Sequence, residues 1–308
     1  MKIIWLLLMI CFPWSVCHGW NDKGHLVIAR LAWKELTPNE RERIVKILQR
    51  HPHYEEFLRA RKPDGYSEDE WVFLRAATWS DWVRGGPLSR RKFHMSNAHF
   101  INLPLTEPGF TGVVPAPAAH NIISQLHVSK LIARNGNQED RAIQLCWVFH
   151  LVGDIHQPLH CTNYFSSRFP KGDKGGNLAK ARIPGRSAII LHEFWDDLLG
   201  SSDSLSSVGS MVLEIEQYYL EKKANIDPEL SKNRKFEDWA RESVEMSRWY
   251  VYLNGAFKPV NIEDKPSEKD LPVLPDHYAQ NAGKAARYMA AKAGKRLASE
   301  LREILASH

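Results

Sequence analysis

The residues able to do chemistry gather in two short stretches. One reads His150-Leu-Val-Gly-Asp154-Ile-His156-Gln-Pro-Leu-His160, the other His192-Glu-Phe-Trp-Asp196. Each holds a histidine and an aspartate four residues apart, the spacing that places two side chains on one face of a helix. Imidazole nitrogen beside carboxylate oxygen suits Zn2+ or a similar divalent ion. One such pair alone is more often a surface hydrogen bond. Two pairs plus His160, flanked by apolar residues (Trp147, Val148, Phe149 and Leu151; Ile189, Ile190, Leu191 and Phe194), form a polar cluster in apolar surroundings. Such a cluster needs partners, and metal ions supply them. Pro158 should end the first helix and turn His160 toward a second site. The pattern is that of a polynuclear metal centre.

Helices must position these groups, because most of the chain has helical period. Helices are predicted at His25 to Trp33, after the Thr37-Pro38-Asn39-Glu40 cap, and over 67–81, 120–135, 139–156, 193–199, 205–223, 236–251 and 278–305. Strand-like alternation is scarce. Only 179–190 reads as a short hairpin, turning at Pro184-Gly185. The segments 104–119 and 163–177 are rich in Gly, Pro and Ser and read as long loops. No linker or repeat divides the chain, so the expectation is one all-α, multi-helix domain with long loops and at most a short β-hairpin. The 308 residues, 44% hydrophobic and 25% charged, exclude a disordered or collagen-like chain. A charge of +5 with no basic run longer than three argues against binding through a dense basic patch.

Residues 1–19 read as an export signal: Lys2, an apolar run from Ile3 to Phe12, then Pro13, with small Cys17 and Gly19 three and one residues before the cut. That run is too short for the roughly 20 residues of a membrane span. Cleavage after Gly19 would leave a domain over 20–308, secreted or periplasmic, with no membrane span. Monomer is the favoured state. Cleavage also leaves only Cys146 and Cys161, which read as free buried thiols rather than a scaffold. No Asn-x-Ser/Thr acceptor occurs.

Further marks extend along the chain: Trp20 with Gly24-His25; Ala77-Thr-Trp-Ser-Asp81 followed by Arg84; Ala98-His99-Phe100-Ile101; Gln157-Pro-Leu-His160; Gly175-Gly176-Asn177; Trp239-Ala-x-Glu242-Ser243; and Ala293-Gly-x-Arg296-Leu-Ala298. With the two His/Asp stretches, in this order and spacing, the chain resembles the S1/P1 nuclease family of exported, trinuclear-zinc, single-strand-specific nucleases. The resemblance runs over nearly the whole length after residue 19. It implies the all-α phospholipase C/P1 nuclease-like fold and three zinc ions per chain. Asp81, His99, His150 and Asp154 would hold the first. The α-amine and carbonyl of Trp20, with His25 and a shared Asp154, would hold the second. His160, His192 and Asp196 would hold the third.

The resemblance also implies a mechanism in which a zinc-bridging hydroxide attacks phosphorus, with Asp81 and Asp154 holding the paired ions. The third zinc would stabilise the leaving 3′ oxygen, giving 5′-phosphate products. Arg84 would neutralise charge on the phosphate. Phe100 would stack on a base, which favours single strands of DNA or RNA and leaves 3′-mononucleotides as further substrates. Asn102 stands where the family typically has Asp, which puts inherited base preference in doubt. Two rival readings are a bacterial zinc phospholipase C acting on phospholipid and a non-catalytic zinc- or nucleotide-binding protein. Of the remaining histidines, His51 and His53 should lie in an exposed charged loop, and His94 should not be a ligand. His120, His127 and His156 should be hydrogen-bonded structural groups. The basic segment 284–302 reads as a solvated helix face.

Overall fold

The computed structural model describes residues 20–306 apart from 186 and 203, so the expected export segment lies outside the described residues. Polar caps open the helices, and the Thr37 cap falls where the sequence places it. Asn21 opens α1 (Asp22–Glu35), its side chain accepting from the Gly24 N–H at 3.0 Å. Thr37 and Glu40 form a reciprocal capping box on α2 (Pro38–Leu48), with Pro38 in the first turn. The predicted helix over 67–81 divides into α3 (Glu68–Ala76) and α4 (Trp79–Trp82). Thr78 explains the break: its hydroxyl donates to the Arg75 carbonyl at 3.2 Å, competing with the helical ladder. A short α5 (Leu88–Arg91) follows, then strand β1 (Leu103–Thr106).

Asn121 caps α6 (Ile122–Asn135) and Asn137 caps α7 (Gln138–Asp154). Every residue of α7 from Leu145 to Asp154 is buried, so its second half is a central helix rather than a surface one. α2, α3 and α6 pack around it. The remaining elements are β2 (Thr162–Phe165), β3 (Ala179–Arg182), β4 (Ala188–Ile190), α8 (Leu191–Asp196), α9 (Leu205–Lys232), α10 (Phe236–Met246), β5 (Val260–Asn261) and α11 (Tyr278–Leu305). α11 lies against α1, α7 and α9. The all-α, phospholipase C/P1 nuclease-like expectation holds.

The predicted hairpin forms as β3 and β4, paired antiparallel with Lys180 opposite Ile190, and β5 adds a third strand. A second sheet was not legible. β1 and β2 pair in parallel, Leu103 with Thr162 through Thr106 with Phe165, inside segments that read as loops. Four-residue strands are too short to show period-two alternation, and this pairing joins residues far apart in sequence. α9 also runs past the predicted stop at 223 and through Pro228, where Glu229 meets Lys292 at 2.5 Å. Cys146 and Cys161 are free and buried, as expected.

The basic segment 284–302 is only partly a solvated face. Lys292 and Arg296 are 1% and 4% exposed. Lys292 Nζ lies 2.7 Å from Glu242 Oε2, and Arg296 grips both Glu242 oxygens at 2.7 and 2.9 Å. Arg296 Nη1 also donates to His156 Nε2 at 2.8 Å, while His156 Nδ1 donates to the Val152 carbonyl at 2.7 Å. His156 is thus the structural group the sequence suggested. Although burial opposes it, the Arg296 and Lys292 charges draw the Glu242 carboxyl down to about 2. Glu242→Ala leaves the buried Arg296 without a carboxylate and Lys292 with Glu229 alone, and chemical denaturation should show a loss of about 3–5 kcal/mol near neutral pH. A carboxylate depressed on folding stabilises above its ordinary range, so the gap to wild type should shrink as pH falls from 4.5 towards 2.

Candidate metal centre

Six elements bring the site together. α7 carries His150 and Asp154 four residues apart at its buried C-terminal end. Pro158 opens a single 3-10 turn that delivers His160, and another turn over Ser96–His99 delivers His99. α1 contributes His25, α4 contributes Asp81, and α8 contributes His192 and Asp196. Gly153 matters here because α1 crosses closely: a Cβ at this position would lie 2.7 Å from His25 Nδ1.

The potential ligand atoms form three groups, each within 4.8 Å: His25, His150 and Asp154; Asp81, His99 and His150; and His160, His192 and Asp196. His150 Nε2 and His99 Nδ1 lie 2.9 Å apart, and each is 3.0 Å from Asp154 Oδ2. Asp81 Oδ1 sits 3.8 Å from His150 Nε2 and 3.9 Å from His99 Nδ1. On the other side of the shared carboxylate, His25 Nε2 is 3.3 Å from Asp154 Oδ1. In the third group His192 Nε2 is 3.5 Å from Asp196 Oδ2, and Gln157 Nε2 donates to Asp196 Oδ1 at 2.6 Å.

Proton positions decide whether these groups fit cations. His150, His160 and His192 each donate Nδ1–H to a backbone carbonyl, of Ala77, His99 and Gly175, at 2.8, 2.6 and 2.6 Å. On a neutral ring that assignment leaves the Nε2 lone pair facing the cluster, the arrangement that orients metal-binding imidazoles. Neither ring nitrogen of His25 has a hydrogen-bond partner, and neither does Asp154 Oδ1, although all three are buried. Each orphan of this kind costs about 1–3 kcal/mol, and a cation between them removes the cost. Burial works against the charged carboxylates, yet His150 holds Asp154 well below its ordinary range and, with Arg84, draws Asp81 to about 2. Burial lowers His25, and His99 to about 4, while Asp154 and Asp81 outweigh burial at His150 and lift it to about 9. The acids that hold a proton on His150 are the ones that would hold a cation in its place. The donor set fits divalent metal.

Arg84 reaches the same place, its Nη2 2.8 Å from Asp81 Oδ1. Phe100, Asn102, Leu159, Lys174, Gly175, Asn177 and His192 line a cavity of about 300 Å³ beside the third group. Phe100 is half-buried and faces this cavity, so it is not a core residue. Trp20 is fully buried, and Asn21 fastens the segment by donating to Asp197 Oδ1 and the Gly200 carbonyl, both at 2.7 Å. The structure thus gathers the predicted imidazole and carboxylate ligands and places Arg84, Phe100 and Asn102 beside them.

Among the other histidines, His94 belongs to none of the three groups, and His127 pairs with Glu237 at 3.2 Å. His120 Nε2 lies 3.4 Å from Gln125 Oε1. The exposed reading of His51 and His53 is corrected. His51 is buried, packed edge-on to Trp79 with centroids 4.6 Å apart, and His53 is half-buried and accepts from Trp79 Nε1 at 3.1 Å. The hydrophobic demand of Trp79, two residues before Asp81, draws the pair in. Lys174 and Gln157 were not singled out as site residues. Their signal was present in the Gly-rich run 172–176 and in the proline that ends α7.

A family model described as S1/P1 Nuclease matches residues 20–306. Endonuclease 2 of Arabidopsis thaliana is 28% identical over 212 residues, 63% of this chain and 62% of its own length. Nuclease S1 of Aspergillus oryzae is 24% identical over 190 residues, 59% of this chain and 55% of its own. Those two matches span less than two thirds of each relative. Endonuclease 3 of Arabidopsis thaliana is 23% identical over 293 residues, 89% of this chain and 90% of its own.

Proposed function

Because the chain belongs to the S1/P1 nuclease family, we propose that it is a zinc-dependent phosphodiesterase that cuts single-stranded DNA and RNA to leave 5′-phosphate products and also removes the phosphate from 3′-mononucleotides. One observation carries the reading: three donor groups lie together, two of them sharing His150, and the third borders a cavity with an aromatic wall. Asp81, His99, His150 and Asp154 would hold one zinc; Trp20, His25 and Asp154 a second; His160, His192 and Asp196 a third. Zinc bound there would acidify water toward a pKa of ~7 and place positive charge beside the phosphodiester.

The chain's own residues do the rest. Arg84, braced on Asp81, presents a guanidinium whose fork matches phosphate oxygens. Phe100 offers a ring face that any unstacked base can cover, which selects against duplex. Asn102 and Asn177, on the same cavity, offer amides that both donate and accept at a base edge. Lys174 adds a cation at the rim. No helix among the described residues is long and apolar enough to cross a membrane. We place the protein outside the cytoplasm, after removal of residues 1–19.

The test is to assay purified protein, with and without a strong chelator, on single-stranded DNA, RNA, a 3′-mononucleotide and phosphatidylcholine, with elemental analysis for zinc. Chelator-sensitive cutting of the first three, with close to three zinc ions per chain, is expected. Hydrolysis of phosphatidylcholine alone would give the phospholipase C reading, and no hydrolysis by zinc-loaded protein would give the non-catalytic one. Phe100→Ala should raise KM on single-stranded DNA about five- to 150-fold, the ~1–3 kcal/mol of one base–aromatic stack, with a smaller change in kcat. Wild-type KM in that variant would leave Phe100 without a substrate role.

A further inference from the structure

Beneath the third donor group lies a buried carboxylate that no step above uses. Asp173 is fully buried in the Gly-rich loop between β2 and β3. Its Oδ2 accepts from the Tyr252 hydroxyl, and its Oδ1 accepts from the Tyr164 N–H at 2.9 Å. The Tyr252 and Tyr164 rings stack in parallel with centroids 4.2 Å apart, closing the carboxylate off from solvent. Burial pushes the Asp173 carboxyl up to about 6, so folding keeps this group in place against a cost.

The loop it anchors has one feature directed at the site. The Asp173 N–H donates to the Tyr164 carbonyl at 3.0 Å, the Leu178 N–H returns to the Asp173 carbonyl at 3.0 Å, and the Lys174 N–H donates to Asn163 Oδ1 at 2.9 Å. Clamped at these points, the chain turns through Gly175 at φ +63°, where a Cβ would lie 2.5 Å from the Leu159 carbonyl oxygen. That turn aims the Gly175 carbonyl at His192 Nδ1, 2.6 Å away. Gly176 backs it by accepting from the His192 N–H at 3.4 Å.

We propose that Asp173, fixed by Tyr252 and the Tyr164 amide, is the positioning residue for the third metal group, setting the Gly175 carbonyl that orients and selects the tautomer of His192. The inference rests on the metal reading above and deepens it. Partners of a ligand imidazole are worth about 10–100-fold in metal affinity. Asp173 would act one step further out, through the loop.

The test uses zinc-loaded protein and two variants, Asp173→Asn, which keeps shape and one acceptor, and Tyr252→Phe, which removes only the hydroxyl. Zinc competition with a graded chelator should show the weakest ion bound about 10-fold less tightly in each, with His192→Ala marking complete loss of that ion. By 1H–15N NMR, the His192 Nδ1–H should be slowly exchanging in wild type and at least about 10-fold faster in the variants, with the His150 Nδ1–H unchanged. Wild-type zinc affinity in folded Asp173→Asn overturns the proposal, and so does zinc loss with His192 Nδ1–H exchange unaltered. Should wild-type protein hold fewer than three ions, the metal reading fails, and the exchange comparison still decides what Asp173 does.

Discussion

Asp154→Ala should lower the rate on single-stranded DNA by about 10³-fold or more and release two zinc ions, whereas Asp196→Ala should release one and cost less. Asp154 Oδ2 faces His99 and His150 at 3.0 Å, and its Oδ1 faces His25 at 3.3 Å. The carboxylate therefore lies within reach of donors from two groups, and its loss withdraws one negative charge from beside both. Asp196 serves only the group with His160 and His192. A single charge-stabilising contact is commonly worth about 10²–10³ in rate, which sets the lower bound for a residue doing this twice. Elemental analysis and initial rates on the two purified variants, with circular dichroism to confirm helix content, decide the matter. Equal zinc loss and equal rate loss would show that Asp154 is not shared.

A protein that keeps one extra residue before Trp20 should hold two zinc ions rather than three and lose most of its activity. An α-amine binds metal only when free and unprotonated, and its ordinary pKa of ~7.7–8.0 lets zinc displace the proton near neutrality. A preceding Met converts that nitrogen to a peptide amide and moves the amine ~3.8 Å along the chain, beyond a ~2.1 Å Zn–N bond. The ties of Asn21 to Asp197 and Gly200 hold the segment in place, so it cannot slide to compensate. Mass spectrometry establishes each N-terminus before zinc content and rate are compared. Three ions and full rate in the extended protein would remove Trp20 from the ligand set.

The sequence disclosed the centre better than its surroundings. His150 with Asp154 and His192 with Asp196 were legible because helical period is local, and four residues suffice to put two side chains on one face. The helix cap at Thr37 is equally local. What escaped notice depends on partners remote in the chain. Lys292 and Arg296 read as solvated because their counter-charge, Glu242, sits on another helix. His51 read as exposed because its neighbour Trp79 is far away in sequence. Asp173 looked like any loop aspartate, since nothing local shows Tyr252 closing over it.

The small parallel sheet has a consequence for where this chain can change length. Its register continues into the site: the Ile101 N–H donates to the His160 carbonyl at 2.8 Å, and the Leu103 N–H donates to the Cys161 carbonyl at 3.1 Å. The His160 side chain in turn donates Nδ1–H to the His99 carbonyl, so ligands of two donor groups are tied together at the end of this ladder. A single residue inserted between His99 and Leu103, or between His160 and Thr162, would slip that ladder and turn a ligand to the opposite face. Insertions and deletions among related chains should therefore avoid 99–106 and 160–165 and collect in the turn segment 107–119, where added length moves nothing that binds metal.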